Sequence, residues 1–224
     1  MADFERKIKT GELLSASSPY IKTLFDRTEY AWEVLPLIKG YIKELISSGA
    51  LESFTEISED VFVGEGVKIA NTAVIEPPAI IGKGTEIRPG AYLRGNVIAG
   101  EDCVIGNSSE IKNSVLSDRA QVPHYNYVGD SVLGYHAHMG AGSICSNLKL
   151  DGTNVKVKLD TVYETGLRKF GAILGDNTDV GCNSVLNPGT VIGKNTAVYP
   201  LSSVRGVLPQ NCIVKAGGEI AAKK

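Results

Sequence analysis

The sequence predicts an all-β protein, a parallel β-helix of hexapeptide repeats, preceded by an α-helical segment. An aliphatic residue returns every six positions from residue 63 to residue 111, and a second small or compact residue follows four positions after each. Neither the 3.6-residue helical period nor the alternation of an ordinary sheet gives this spacing. The 25 glycines indicate many turns. Coils stacked with both positions turned inward explain all three observations.

The six-residue period forms two blocks. In the first block, the aliphatic positions are Val63, Ile69, Ile75, Ile81, Ile87, Leu93, Ala99, Ile105 and Ile111. The period falters at Ser117 and Pro123, resumes displaced at Leu133, and returns after a gap at Leu174. We interpret both interruptions as places for chemistry, because local sequence rules are most often broken at functional sites.

Residues 1–55 form the helical segment, and residues 1–14 within it carry no period and predict a loosely ordered lead-in. Residues 17–19, Ser-Ser-Pro, predict a helix start. Apolar residues at three- and four-residue steps then predict about two amphipathic helices, broken near Pro36 or Gly40. We expect these helices to cover the open first coil, whose strand edge invites aggregation. A subunit or partner contact is the alternative.

Residues 56–214 form the predicted β-helix. Within it, residues 148–172 alternate polar and β-branched side chains, which predicts an excursion from the coils with a hairpin near residues 155–162. Residues 173–204 predict about two further coils. Residues 215–224 predict a frayed tail.

Composition limits the classes of function. With 224 residues, of which 43% are hydrophobic, the chain can bury a full core. A formal charge of −2 gives no electrostatic argument for binding nucleic acid or an anionic membrane. No apolar run approaches the roughly 20 residues of a membrane span, and the first residues lack a signal peptide's apolar core. We therefore expect a cytoplasmic protein.

The four cysteines are far apart and have no metal-ligand spacing. We expect reduced thiols that mainly pack as small hydrophobes; they are Cys103, Cys145, Cys182 and Cys212.

His124 is the candidate for acid–base chemistry. A neutral imidazole near physiological pH can take a proton from an attacking amine or hydroxyl. His124 lies in the first interruption of the repeat, beside Pro123 and Tyr125. His136 and His138 lie two apart without a third ligand nearby, so no metal is expected.

Two cations interrupt the hexads. Arg88 follows Ile87 and Lys112 follows Ile111, where the motif usually has a small residue. They are 24 residues apart, so with three hexads per coil the two can flank one corner groove and hold a phosphate. Solvated turn charges are the alternative. Separately, the Gly140-Ala141-Gly142 turn could offer a backbone N–H to a ligand.

Three stretches carry a family resemblance. IRPGAYLRGNVIAGEDCVIGNSSEIKNSVL (87–116), HYNYVGDSVLG (124–134) and MGAGSICSNLKLDG (139–152) resemble the acetyltransferase half of bifunctional glucosamine-1-phosphate acetyltransferase/N-acetylglucosamine-1-phosphate uridylyltransferases. The excursion ending GLRKFGAILGD is similar to archaeal-type sugar-1-phosphate nucleotidylyltransferases. The resemblance implies a left-handed β-helix and a homotrimer with active sites between subunits. It also implies direct attack of a sugar-phosphate amine on acetyl-CoA, with no metal expected.

The resemblance also implies roles for single residues. It makes His124 the catalytic base and gives Arg88 and Lys112 contacts to phosphate and sugar, with Arg94 as a rival to Arg88. Tyr127 is a further sugar contact, and Lys156 a second-side lysine for which Lys169 competes. Acetyl-CoA would be contacted by the Ala141 backbone and by Asn147.

Departures from the family pattern bear on the substrates. His138 stands where the bacterial enzymes have a substrate-binding Asn, and Cys182 and Pro200 replace small residues along the acetyl-CoA groove. The nucleotidyltransferase domain has no counterpart in the sequence. The expected function is an acetyl-CoA-dependent N-acetyltransferase acting on a sugar phosphate. Its rivals are transfer to an amino-sugar nucleotide, and a non-catalytic trimeric scaffold or sugar-nucleotide-binding module that pairs with a separate nucleotidyltransferase chain.

Overall fold

A computed structural model describes residues 5–223 and confirms the predicted fold class, a left-handed parallel β-helix with few helices. Residues 1–4 and 224 of the predicted lead-in and tail lie outside the described residues. Among the described residues, no helix has the length and apolarity needed to cross a membrane.

The strands are short, and most pair in parallel with the strand one coil away. In chain order they are β1 (Thr55–Ser58), β2 (Val61–Val63), β3 (Lys68–Ile69), β4 (Val74–Glu76), β5 (Ala79–Ile81), β6 (Glu86–Ile87), β7 (Tyr92–Arg94), β8 (Val97–Ala99), β9 (Val104–Asn107), β10 (Glu110–Lys112), β11 (Ser114–Leu116), β12 (Gln121–His124), β13 (Tyr127–Gly129), β14 (Val132–Leu133), β15 (His138–Met139), β16 (Ile144–Cys145), β17 (Lys156–Lys158), β18 (Val162–Glu164), β19 (Ala172–Leu174), β20 (Asp179–Val180), β21 (Val185–Leu186), β22 (Thr190–Ile192), β23 (Ala197–Val198), β24 (Ser203–Val204), β25 (Val207–Leu208), β26 (Cys212–Val214) and β27 (Ile220–Ala222).

The coils present three faces. Face 1 has the strand order β1-β2-β5-β8-β11-β14-β19-β22-β25, face 2 has β3-β6-β9-β12-β15-β20-β23-β26-β27, and face 3 has β4-β7-β10-β13-β16-β21-β24. The chain runs from face 1 to face 2 to face 3 and back, so it turns at a 1/2 corner, a 2/3 corner and a 3/1 corner. The repeat's aliphatic residues fill the interior, as predicted, and Ile87, Leu93, Ala99, Ile105 and Ile111 are all buried in one cluster.

The first interruption of the repeat is a change of register. Up to face 3 of the third coil, partners are 18 residues apart, as in Glu110↔Tyr92, but from β11 to β16 each strand lies 17 residues after its partner in the preceding coil, as in Leu116↔Ala99. At this 3/1 corner two left-handed residues, Gly95 and Asn96, are replaced in the next coil by the single residue Asn113. The inward positions therefore become Leu116, Val122 and Val128. The faltering of the period at Ser117 and Pro123 is thus a shift by one position, and the coils continue through it.

The helical segment contains α1 (Thr10–Leu13), α2 (Pro19–Phe25), a 3-10 helix (Ala31–Val34) and α3 (Ile38–Ser47). As predicted, Ser18 and Pro19 begin a helix. Of the two expected positions for the break, the structure has the one near Pro36, because Gly40 lies inside α3. Gly49 follows α3 with a left-handed φ of 72°.

These helices pack along face 1 and do not sit on the end of the first coil. The reason lies in the strands of face 1. Three of them, β5, β8 and β19, are apolar at three successive positions, so their middle residues form an aliphatic row on the outer side of the sheet. The helices bury that row, whose members include Ile80, Ile98, Val115, Val132, Ile173 and Val191. Burying each such side chain contributes about 1.5–3 kcal/mol.

The beginning of the chain is also fixed along the β-helix, contrary to the expected loose lead-in. The Gln210 N–H donates to the carbonyl of Glu5 (3.0 Å), and the Asp176 N–H donates to that of Leu13 (3.0 Å). The segment thus runs from the last coils back to the first.

The excursion follows the prediction. It leaves face 3 after Cys145, forms the antiparallel β17–β18 hairpin, and returns at β19. The tail differs from the prediction, because β27 pairs antiparallel with β26.

Candidate functional site

The 2/3 corner aligns four of the predicted site residues in one column. The Gly142 N–H donates to the His124 carbonyl (3.0 Å), the Asn183 N–H to the Ala141 carbonyl (2.8 Å), and the Leu201 N–H to the Cys182 carbonyl (2.9 Å). Each bond joins one coil to the next at the same corner. The column therefore runs His124, Ala141, Cys182 and Pro200, and the structure brings the candidate base and the three candidate cofactor contacts of this corner together.

His124 ends β12 with an exposed side chain, and its backbone is held by a buried asparagine. Asn126 Oδ1 accepts from the His124 N–H (3.0 Å), while Asn126 Nδ2 donates to the Gly140 carbonyl (2.8 Å) and to Ser143 Oγ (3.0 Å). A fully satisfied buried network rigidifies its surroundings. The corner thus presents His124 from a fixed backbone.

The opposite end of face 3, the 3/1 corner, holds a second polar cluster. Asn147 Nδ2 donates to Asp130 Oδ2 (2.5 Å) and to the Tyr127 hydroxyl (3.2 Å), and Asn113 Nδ2 donates to Asp130 Oδ1 (2.9 Å). Asp130 is only 6% exposed. Burial raises the pKa of Tyr127, and the charges of Glu110 and Asp130 raise it further, so the phenol stays protonated.

Three cations adjoin this cluster. Burial lowers the pKa of Lys112, and the nearby cations Lys169 and Arg94 lower it further, against the opposing charge of Asp130. Arg94 Nη1 lies 2.6 Å from Glu110 Oε1. A cationic group with other cations around it favours an anion as its partner. The arrangement can therefore hold a phosphate beside Tyr127 and Asn147.

Several candidates lie apart from these two groups. Arg88 is on the outer surface of face 2 and pairs with Glu86 (3.1 Å), so Arg94 is the arginine that neighbours Lys112. His138 is also on face 2, with Nδ1 2.8 Å from Asp179 Oδ1. Lys156 lies in the hairpin and pairs with Glu164 (2.6 Å), whereas Lys169 bridges back to Leu148 at the 3/1 corner.

The cysteines and histidines form no cluster that could hold a metal ion within the described residues. Cys103 and Cys145 occupy the interior as predicted, Cys212 is buried as well, and Cys182 is exposed. Burial raises the pKa of both Cys103 and Cys145 to about 12, which keeps these thiols neutral.

Sequence reasoning missed two residues of the site. Asp130 and Asn126 stand within the HYNYVGD stretch, but their type alone gives no reason to place them inward. The signal that could have found Asp130 is its alignment with Asn113 once a 17-residue coil is allowed. Asn126 aligns in the same way with Ser109 and Ser143, which are also buried.

Comparisons with known proteins identify relatives. The family profile of the GMPPB C-terminal domain matches residues 75–166. The bifunctional protein GlmU of Methanococcus vannielii is 35% identical over 195 residues, covering 86% of this chain and 47% of the relative. A bifunctional sugar-1-phosphate nucleotidylyltransferase/acetyltransferase of Sulfurisphaera tokodaii is 36% identical, covering 75% of this chain and 43% of the relative. The chain thus spans about half the length of these relatives, and the resemblance predicted from its motifs is confirmed.

Solved structures share a more distant likeness. PerB from Caulobacter crescentus, determined with CoA and GDP-perosamine, is 18% identical with a TM-score of 0.36, covering 69% of this chain and 56% of that chain. A likeness at this level carries no weight for the site.

Proposed function

Because this chain is homologous to the C-terminal part of GlmU-type bifunctional proteins, we propose that it is a hexapeptide-repeat acetyltransferase. It would move an acetyl group from acetyl-CoA to the amine of a sugar phosphate such as glucosamine 1-phosphate. The observation that carries the proposal is the column at the 2/3 corner, which places an exposed histidine in line with Ala141, Cys182 and Pro200. A cytoplasmic location and the absence of a metal requirement belong to the same proposal.

The chemistry needs one base. In the proposed reaction the imidazole of His124 takes a proton from the neutral acceptor amine as the nitrogen attacks the thioester carbonyl. A carbon–nitrogen bond forms, the carbon–sulfur bond breaks, and the CoA thiolate leaves with a proton returned from the imidazolium. The fixed backbone around Asn126 supports this role, since a base must be held in reach of the proton it accepts.

The acceptor's phosphate would lie at the 3/1 corner. Arg94, Lys112 and Lys169 supply cations there, and charge-assisted hydrogen bonds to phosphate are about twice as strong as neutral ones. Tyr127 supplies a hydroxyl for the sugar. Asn147, expected from the sequence to contact acetyl-CoA, bonds to Tyr127 and Asp130 at this corner and not to the column of Ala141, so in this proposal its amide serves the sugar. Arg94 replaces Arg88 in this proposal because it adjoins Lys112, and Lys169 replaces Lys156 for the same reason.

A homotrimer would join the two groups. His124 lies at the 2/3 corner and Lys112 at the 3/1 corner, at opposite edges of face 3 in one chain. One ligand would contact both residues most readily where the 2/3 corner of one copy meets the 3/1 corner of its neighbour. Active sites shared between copies are what the resemblance implies. Sedimentation equilibrium tests this arrangement directly, and a monomer with full activity would refute it.

A second candidate function rests on what the relatives combine. The relative from Sulfurisphaera tokodaii is a bifunctional nucleotidylyltransferase/acetyltransferase, and the alternative proposal is a non-catalytic trimeric module that binds a sugar nucleotide and pairs with a separate nucleotidyltransferase chain. His138, held by Asp179 on face 2, is the residue that bears on an amino-sugar-nucleotide acceptor.

The deciding experiment measures release of free CoA thiol from acetyl-CoA with glucosamine 1-phosphate as acceptor. We expect the wild type to turn over and His124→Ala to lose about 10²-fold or more in kcat, the usual contribution of a general base. His136→Ala is the matched control, because His136 is an exposed histidine at the other end of face 2. Silence of the wild type across amino-sugar phosphates and nucleotides would refute the enzyme and favour the binding module.

A further inference from the structure

A pocket lies between the excursion hairpin and the last coils. Its volume of about 450 Å³ falls within the range of small-molecule sites. The hairpin forms one wall and the 3/1 corner of the late coils forms the other. The lining residues that carry the inference are Lys149, Lys156, Lys158, Val162, Pro188 and Arg205.

The pocket is strongly cationic. Three lysines and one arginine line it, and none of its lining residues is acidic. Lys149 pairs with Asp151 (3.3 Å) and Lys156 with Glu164 (2.6 Å). None of the ion pairs within residues 5–223 involves Lys158 or Arg205. Arg205 Nη2 donates only to the amide oxygen of Asn187 (3.1 Å). Two cations are therefore free to contact an anion.

The same pocket has an apolar wall, made by Val162, which is 54% exposed, and by Pro188. Val155 fixes the hairpin beside it, because Val155 is 1% exposed and packs so tightly on Gly189 that a Cβ atom there would lie 2.7 Å from Val155 Cγ1. The hairpin is braced from behind by the helical segment, since the ring of Tyr163 lies 5.4 Å from that of Tyr30 and 6.1 Å from that of Trp32. An apolar wall beside cations suits a ligand that is partly planar and partly phosphorylated.

The pocket is distinct from the cations of the 3/1 corner that the proposed function uses. Lys112 is the last residue of β10, and Arg205 follows β24 at the equivalent outward position of face 3. The two strands are four steps apart in the order β10-β13-β16-β21-β24. At about 4.8 Å per strand, their backbones are roughly 19 Å apart. One sugar phosphate does not reach both.

We propose that the pocket between the β17–β18 hairpin and the last coils is a binding site for a phosphorylated nucleoside. The phosphates contact Lys158 and Arg205, and the base lies against Val162 and Pro188. Two sources share this chemistry: the 3′-phosphorylated adenosine diphosphate end of CoA, and the nucleoside diphosphate of a sugar nucleotide. The choice between them rests on the proposed function, whereas the site itself does not.

The test uses the full chain and isothermal titration calorimetry with three probes: adenosine 3′,5′-bisphosphate, uridine diphosphate and inorganic phosphate. We expect the double variant Lys158→Ala, Arg205→Ala to weaken binding of one nucleotide by at least tenfold. The reason is that it removes two charge-assisted hydrogen bonds to phosphate, each about twice as strong as a neutral hydrogen bond. The matched control is Lys39→Ala, Lys43→Ala, which removes two exposed lysines from α3, a helix that packs against β8 and does not line the pocket. Circular dichroism confirms that both double variants are folded.

Each outcome decides the inference. Loss confined to adenosine 3′,5′-bisphosphate supports the site and assigns it to the CoA end, and loss confined to uridine diphosphate supports it and assigns it to a sugar nucleotide. The site is refuted if neither nucleotide binds, if the two double variants weaken binding equally, or if inorganic phosphate binds as tightly as the nucleotides. The site and the proposed function can fail separately. If the site is refuted but the wild type still transfers acetyl groups, the proposed function is still supported. If a nucleotide binds specifically but no acetyl transfer occurs, the site is still supported and the proposed function is refuted.

Discussion

Gly106 lies directly against Pro123 of the next coil, so closely that a Cβ atom on Gly106 would overlap the Pro123 carbonyl group. The contact stacks two coils immediately before His124. No side chain can occupy this position without separating the coils, because the obstructing atoms belong to the backbone.

Gly106→Ala should therefore prevent folding into the native β-helix. We expect insoluble protein or a loss of most of the folding free energy, measured by the soluble yield and by chemical denaturation. Gly40→Ala is the control, since Gly40 lies in α3 with no atom within 4 Å of the place that a Cβ would take, and it should stabilise the helix by about 0.5–1 kcal/mol. A Gly106→Ala protein with wild-type stability would contradict the stacking.

The hexad pattern was sufficient to predict the β-helix because the interior accepts only small or aliphatic residues. It predicted the positions of Ile87 and Ile105, and the alternation of polar and β-branched residues between the hexads predicted the hairpin of the excursion. It failed after Ile111 because one residue is lost at Asn113, and a shift of one at a corner moves every later position while leaving the composition unchanged. The location of the helices was missed because period alone does not reveal that face 1 is apolar on its outer side as well.

The type of a residue predicted its place in the site less well than the register in which the coils stack. His124, Ala141, Cys182 and Pro200 were each named from the sequence, but their alignment in one column follows only from the stacking of unequal coils. Arg88 and Arg94 were indistinguishable by type and were separated by the faces they occupy. Asn126 and Asp130 became visible only as buried partners of other groups.

The cations at the 3/1 corner give the next prediction. Arg94→Ala and Lys112→Ala should each raise the KM for the sugar phosphate by about tenfold or more and change the KM for acetyl-CoA little, because each removes a charge-assisted contact to phosphate. Steady-state kinetics with each substrate varied in turn measures the split. Arg88→Ala is the matched control and should leave both KM values near wild type. Equal effects on both substrates, or a larger effect from Arg88→Ala, would reject the assignment.

Asp118 anchors the helical segment and makes stability depend on pH. Its carboxylate, 4% exposed, accepts from the N–H groups of Ser17 (2.7 Å), Ser18 (3.0 Å) and Glu101 (2.9 Å) and from the Ser18 hydroxyl. Burial alone would raise the pKa of Asp118, but these hydrogen bonds together hold it below its usual value. The stabilisation is therefore complete above the unfolded-state pKa of about 3.9 and disappears as pH falls through the lower folded-state value.

Asp118→Asn should lower the free energy of unfolding by about 2 kcal/mol at pH 7, with the difference shrinking below pH 4. Denaturant titrations of both proteins at the two pH values measure it. Asp26→Asn is the control, since Asp26 makes only an exposed pair with Lys22, and such pairs contribute about 0–1 kcal/mol. A difference that stays constant down to pH 2 would show that the carboxylate charge plays no part.

The cysteines give a prediction that also probes the 2/3 corner. The buried, neutral thiols of Cys103 and Cys145 should resist alkylation in the folded protein, and so should that of Cys212, whose pKa is raised by burial. Cys182 is exposed, so iodoacetamide at pH 8 should modify this residue alone, as read by mass spectrometry. The variant Cys182→Ser should then remain unmodified until denaturant is added. Because Cys182 stands between Ala141 and Pro200 in the column, acetyl-CoA bound there should slow its alkylation several-fold. Unchanged labelling at saturating acetyl-CoA would remove Cys182 from the cofactor groove and place the thioester elsewhere on face 3.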